Sequence, residues 1–177
     1  LLAIVAAVWA RIALPLPGDV WGGMLRVDRV CQFVDLYIYA ALFLVVWMAG
    51  PFLRRLKEES GEFFALILLS AVGASTMACA VDLLMVFLGL ELLSIPLYVL
   101  NAYLRSTEPS VESGLKYFIM GAFASSFVVY GLALLYGGTA ALDFDGIAAS
   151  LAAGTFNGPF VIIGTAMVLG GIGFKLA

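Results

Sequence analysis

LLMVFLGLELLSIPLYVLNAYLR, residues 83–105, is an almost unbroken apolar run with one carboxylate near its middle. A membrane-spanning helix needs ~20 mostly apolar residues, because the hydrocarbon core is ~30 Å thick and each residue rises ~1.5 Å. The stretch from about Leu83 to Leu104 meets that length, and it places Glu91 close to the bilayer centre. An ionisable side chain there costs ~2.5–3.5 kcal/mol on insertion scales, so it ordinarily faces the protein interior or water. Glu91 is followed by Ser94, Tyr98, Asn101 and Arg105 at helical spacing, which puts all five on one face. A polar stripe is therefore expected from mid-membrane to one end of the span. Pro96 removes the backbone bond to Leu92 and can kink the helix, leaving a carbonyl for water or a side chain.

Working outward, the same rule predicts an all-α, multi-pass transmembrane helix bundle of about six spans. Of 177 residues, 64% are hydrophobic and 12% charged, with mean hydropathy +1.11. Soluble domains run about 45–50% apolar and about 25% charged, and one of this size still exposes roughly a third of its surface. Lipid is the only solvent that suits such a chain. Leu1–Ala13 reads as the tail of one span, followed by a loop to about Val30 that contains Pro15, Pro17, Gly18, Gly22 and Gly23. Trp21, Arg26, Asp28 and Arg29 in that loop suit a membrane–water boundary. A second span runs from about Cys31 to Leu53, and the charged cluster Arg54 to Glu59 closes it as a solvated turn. A third runs from about Glu62 to Ala80, with Asp82 marking a very short turn before the fourth. Pro109 acts as a stop and Ser110 as a cap before a fifth span, from about Val111 to Tyr136, with Glu112 in its first turn. A short interfacial helix is expected at Asp145–Ala153, and a last span from near Pro159. The chain opens on Leu1 and stops on Ala177 inside apolar runs, so it is expected to be a fragment of a longer protein. Arg54, Arg55, Lys57 and Arg105 lie in the loops after the second and fourth spans, which the positive-inside rule places in the cytoplasm. Arg26 and Arg29 in the first loop break that pattern.

Two further cations matter. Lys175 lies some seventeen residues beyond Pro159 and follows Gly170, Gly171 and Gly173, which weaken a helix and admit another backbone. A local break beside a lysine is one way to build an ion site in a transporter. Lys116 stands four residues after Glu112 on the same face, where a local ion pair is available. Each has a plainer reading: Glu91 as a neutral or hydrogen-bonded pin between helices, Lys175 as a residue near the far boundary, Lys116 as a side chain snorkelling to the surface. Tyr98 and Asn101 serve helix packing as readily as a water wire. The nine basic residues form no patch, which argues against nucleic-acid binding, and the chain has no histidine to ligate haem or a transition metal. Cys31 and Cys79 lie in separate apolar segments without metal spacing and read as small hydrophobes. No metal or cofactor site is expected.

Phe87-Leu-Gly-Leu-Glu91-Leu-Leu-Ser94-Ile-Pro96-Leu-Tyr98 resembles the fifth-helix motif of subunit N, one of the antiporter-like membrane subunits of NADH-quinone oxidoreductase (respiratory complex I). Leu115-Lys116-Tyr117 through Gly121, with Tyr130-Gly131 and Leu135-Tyr136-Gly137, resembles its sixth helix. Gly171-Ile-Gly173-Phe174-Lys175-Leu176 resembles its seventh, and Gly61-Glu62-Phe63 the start of its fourth. The likeness covers roughly Gly61–Ala177. It implies an antiporter-like domain over 61–177, preceded by N-terminal transmembrane helices and a loop over 1–60, with the last helix broken or Gly-rich. It implies that Glu91, Lys175 and Lys116 carry protons through a half-channel, supported by Ser94, Pro96, Tyr98 and Asn101. It further implies a cell (inner) membrane location, other complex I membrane subunits as partners, and NADH, FMN, iron–sulfur clusters and quinone held elsewhere in the complex. A subunit of a multisubunit cation/proton antiporter or related membrane hydrogenase is the competing reading, and a structural membrane scaffold the third.

Overall fold

The computed structural model describes residues 2–13, 18–56 and 60–176. Pro15, Pro17 and the Lys57-Glu58-Glu59 part of the charged cluster lie outside the described residues. Helices α1 (Leu2–Ala13), α2 (Arg29–Leu56), α3 (Ser60–Ala78), α4 (Leu83–Asn101), α5 (Glu108–Thr139), α6 (Phe144–Ala153) and α7 (Gly158–Leu176) dominate the fold. Among the described residues, five of these, α2–α5 and α7, are long and apolar enough to cross a membrane. Leu, Phe, Val and Ile side chains cover their outer faces, as lipid requires.

Two helix pairs form the body. Helix α3 packs on α4, and α5 packs on α7, through glycines that let backbones meet. A Cβ at Gly89 of α4 would stand 2.9 Å from the Gly73 carbonyl of α3, and one at Gly164 of α7 would stand 2.8 Å from the Gly131 carbonyl of α5. Without a hydrophobic force between helices in lipid, such close approach supplies the van der Waals contact that holds them. Val128, Leu132, Leu135 and Val168 pack around the α5–α7 seam.

The loop after α1 departs from the expectation of plain coil. Gly18–Val20 (β1) pairs antiparallel with Leu25–Val27 (β2) across a turn in which Gly22 and Gly23 take φ of +68° and +90°. Asp19 accepts a hydrogen bond from Arg26 Nε at 2.9 Å and holds the guanidinium above its ordinary pKa. Alternating Val20, Leu25 and Val27 lean on the buried Cys31 and Cys79, which gives the strands a face to bury. The Arg26 N–H donates to the Cys79 carbonyl at 2.8 Å and the Val81 N–H to the Met24 carbonyl at 3.1 Å. One link further on, the Leu83 N–H donates to the Leu142 carbonyl at 3.0 Å. Hairpin, α3–α4 turn and α5–α6 loop are thus stitched together at one end of the bundle. Asp82 and Asp143 sit there as N-caps, accepting from Leu84 N at 2.7 Å and from Gly146 N at 2.7 Å.

Four expectations change. Helix α4 ends at Asn101, so Arg105 lies beyond it and leaves the stripe for Glu62 of α3, 3.8 Å away. Helix α5 starts three residues early, because Pro109 fits its first turn instead of stopping it. Ser110 is therefore inside α5, and its hydroxyl donates to the Asn101 carbonyl at 2.9 Å. Helix α7 is Gly-rich but continuous through Gly170, Gly171 and Gly173. Cys31 and Cys79 are not separate small hydrophobes. They are joined in a disulfide, Cα atoms 5.0 Å apart, because the hairpin brings the start of α2 to the end of α3.

Candidate functional site

Glu91 projects from the middle of α4 toward α5 and α7. Its carboxylate pairs with the Lys175 ammonium, the one two turns from the start of its helix and the other at the last turn of α7. The side chains are 21% and 7% exposed, so the lysine is buried against its neighbouring helices. Ser125 of α5 completes the group: its hydroxyl lies 2.6 Å from Glu91 Oε1 and 2.8 Å from the Gly121 carbonyl. A serine hydroxyl has one hydrogen and can also accept. It donates to an ionised Glu91; toward a protonated Glu91 it accepts and turns its hydrogen to Gly121.

The rest of the stripe continues along α4 from the pair. Ser94 is buried and donates to the Leu90 carbonyl at 2.6 Å. Pro96 is fully buried, and Gly73 of α3 packs against the Leu92–Leu93 backbone, the turn that Pro96 leaves short of a bond. Tyr98 is buried edge-to-face on Tyr117 at 4.8 Å, with its hydroxyl seated over Gly121 where a Cβ would collide. A cavity of about 340 Å³ opens among α4, α5 and α7, lined by Ser94, Tyr98, Tyr117, Gly121, Ile172 and Lys175. Lys175 therefore faces both Glu91 and a cavity that leads toward the Asn101 end of α4. Asn101 itself is exposed. Lys116 does not join the group: it is 68% exposed and pairs with Glu112 at 2.5 Å on the outer face of α5.

Sequence reasoning missed Ser125, and it missed a second buried pair. Arg11 of α1 pairs with Asp35 of α2, whose side chain is 0% exposed and accepts from Ser75 Oγ of α3 at 2.5 Å. The rule that picks out Glu91, an ionisable side chain inside an apolar run, applies equally to Asp35. For Ser125 no such signal exists, since serines in membrane helices commonly bond back to their own helix, as Ser126 does to Ala122.

Comparison with known proteins agrees with this architecture. The family described as NADH:quinone oxidoreductase/Mrp antiporter, transmembrane, matches residues 80–177. NADH-quinone oxidoreductase subunit N of Sphingopyxis alaskensis is 43% identical over 100% of this chain and 37% of its own length. Subunit N 1 of Solibacter usitatus is 38% identical over the same shares. Among solved structures, a chain of respiratory complex I from Thermus thermophilus superposes with TM-score 0.76 at 30% identity, covering 98% of this chain and 36% of that one. A chain of the membrane-bound sulfane sulfur reductase, an archaeal respiratory membrane complex, superposes with TM-score 0.74 at 25% identity, over 96% and 36%. The chain thus spans somewhat over a third of the length of the relatives it matches. It is a multi-pass protein of the cell (inner) membrane, and it belongs to the NADH:quinone oxidoreductase/Mrp antiporter transmembrane family, with subunits N of NADH-quinone oxidoreductase among the relatives that it matches from end to end.

Proposed function

We propose that the chain is part of a membrane-arm subunit N of NADH-quinone oxidoreductase and moves protons through a buried Glu/Lys half-channel, driven by quinone reduction elsewhere in the complex. The observation that carries this reading is the Lys175 ammonium held on Glu91 beside a cavity that Ser94 and Tyr98 also line. Burial disfavours an ammonium, and an adjacent carboxylate restores it. Paired, Lys175 holds its proton. If Glu91 moves away or is neutralised, Lys175 stands charged in an apolar site and releases the proton into the cavity by Ser94 and Tyr98. Ser125 can hydrogen-bond Glu91 in either protonation state, so the carboxyl keeps a partner when its charge changes in place. Residues 61–177 form the antiporter-like translocation domain, and 1–60 contribute N-terminal transmembrane helices and a loop. Lys116, at the exposed end of α5, relays protons toward neighbouring parts of the arm. Redox chemistry with NADH, FMN, iron–sulfur clusters and quinone belongs to other subunits, and the outer apolar faces meet lipid and other membrane subunits.

The test is Lys175→Ala in the intact complex, in membrane vesicles, with assembly checked first. We expect NADH-driven proton uptake to collapse in an assembled complex. Wild-type uptake and quinone reduction would make the buried pair a helix pin and the scaffold reading the correct one. A ΔpH that depends on sodium and needs no NADH would instead assign a cation/proton antiporter.

A further inference from the structure

A second cluster of chemistry-bearing side chains lies away from the proposed proton path, where α1, α2 and α3 meet under the hairpin. Cys31 is in the first turn of α2 and Cys79 directly follows α3, and both are buried. Their Cα separation of 5.0 Å falls within the ordinary disulfide range of about 4.4–6.8 Å. One guanidinium nitrogen of Arg11 lies 3.6 Å from each sulfur while pairing with Asp35, which also takes the Ser75 hydroxyl. Gln32 Nε2 donates to the Arg11 carbonyl at 2.5 Å and so fixes the end of α1. A fully buried carboxylate and its cation thus depend on three helices staying in register, and the sulfur bridge is a covalent cross-link between the start of α2 and the end of α3, far from the backbone link that joins them.

Cys31, Asp35 and Cys79 also converge closely enough to hold a metal ion. The Arg11 guanidinium already occupies the face that the two sulfurs and the carboxylate share, and a cation brought there would meet its charge. A disulfide suits that surrounding, since it is neutral and needs no counter-charge.

Which compartment makes the bridge follows from a separate observation. Arg54 and Arg55 close α2, and Arg105 follows α4, at the end of the bundle opposite to the hairpin. The positive-inside rule puts that end in the cytoplasm and the cysteine end outside; Arg26 and Arg29 at the hairpin end run against it, but Arg26 is paired with Asp19. Disulfides persist in oxidising extracytoplasmic compartments and are kept reduced in the cytosol. Charge asymmetry and sulfur pairing, read from different residues, give the same sidedness.

We propose that Cys31–Cys79 is a permanent extracytoplasmic staple, installed by a thiol–disulfide oxidoreductase of that compartment, and that it keeps α2 on α3 so that Arg11 stays on buried Asp35. In its formation the two thiols give up two protons and two electrons and their sulfurs join. The oxidoreductase's own disulfide takes up the electrons and becomes a dithiol.

The experiment uses the whole complex purified from membranes. The chain is digested without reduction in the presence of an alkylating agent and analysed by mass spectrometry. The expected product is one linked peptide pair holding Cys31 and Cys79, converted to two free peptides by reductant. Cells lacking the extracytoplasmic thiol oxidant should yield both thiols free and alkylated. Cys31→Ser, Cys79→Ser and the double variant should share one phenotype, heat dissociation of the complex about tenfold faster than wild type. Reductant should reproduce that loss in the wild type and add nothing in the variants. Two alkylated thiols in complex from wild-type cells overturn the staple, and stoichiometric zinc released with them reassigns the cluster as a metal site. A linked pair that forms equally well without the oxidant overturns its extracytoplasmic installation. Double-variant losses equal to the sum of the singles show that the two sulfurs act separately, which also overturns the staple.

Discussion

Ser125 sets the terms at the scale of single residues. Its hydroxyl is the polar partner of Glu91 from α5, and a hydrogen bond to a charged group is worth about 1.5–3 kcal/mol. Ser125→Ala removes that donor and leaves the packing almost unchanged, so we expect coupled proton uptake to fall about tenfold or more while the complex still assembles. Ser125→Thr, which keeps the hydroxyl, should retain most of the uptake; equal losses in both variants would mean that bulk, not the hydroxyl, matters. Glu91→Gln is harsher, because it takes away the carboxylate on which Lys175 is held, and breaking comparable buried pairs from one side costs about 3–5 kcal/mol. Its assembled yield should fall along with its uptake, and Glu91→Asp should recover part of both. Glu91 and Lys175 were legible in the sequence because charge inside an apolar run needs a reason. Ser125 was not legible, since its value depends on a partner in another helix. Asp35 carried the same signal as Glu91, but its place four residues after Cys31, near the boundary loop, hid it.

Among elements, the two helix pairs owe their closeness to glycine, and not all glycines contribute equally. A methyl at Gly164 would press on the Gly131 carbonyl and on Leu135 N at 3.0 Å, whereas one at Gly170 meets nothing within 4 Å. Gly164→Ala should therefore destabilise the α5–α7 pair by about 1–3 kcal/mol, seen as earlier heat dissociation of the complex. Gly170→Ala should be neutral or stabilising by up to about 1 kcal/mol, because it removes only backbone freedom from a helix. The reverse order would mean that α7 needs a hinge at Gly170. Element lengths were readable from hydropathy to within a few residues, because lipid thickness enforces them. The hairpin was not, since its strands have three residues each and owe their pairing to the α3–α4 turn beneath them. Pro109 misled for a related reason: one residue type stops a helix from inside and starts it from the first turn.

At the scale of the whole molecule, sidedness is open to direct measurement without touching either buried pair. A cysteine introduced as Ser106→Cys lies in the exposed turn after α4, and one at Trp21→Cys lies on the exposed tip of the hairpin. A membrane-impermeant maleimide should label the first only in inside-out vesicles and the second only in right-side-out ones. Labelling with the opposite polarity would invert the topology, and with it the direction in which Lys175 faces the cavity. One dimension of the fold bears on this placement. Helix α5 has 32 residues and is therefore ~48 Å long. Even with an ordinary tilt of about 20°, it overshoots a hydrocarbon layer of ~30 Å by roughly half of that layer's thickness. Its ends must stand among lipid headgroups. With Ser125 at mid-depth beside Glu91, Lys116 lies ~13 Å along the axis, at the edge of the acyl chains. Lipid length then decides how wet that lysine is. Longer acyl chains draw it and Glu112 into oil as a closed pair, and shorter ones release it to water as a free cation.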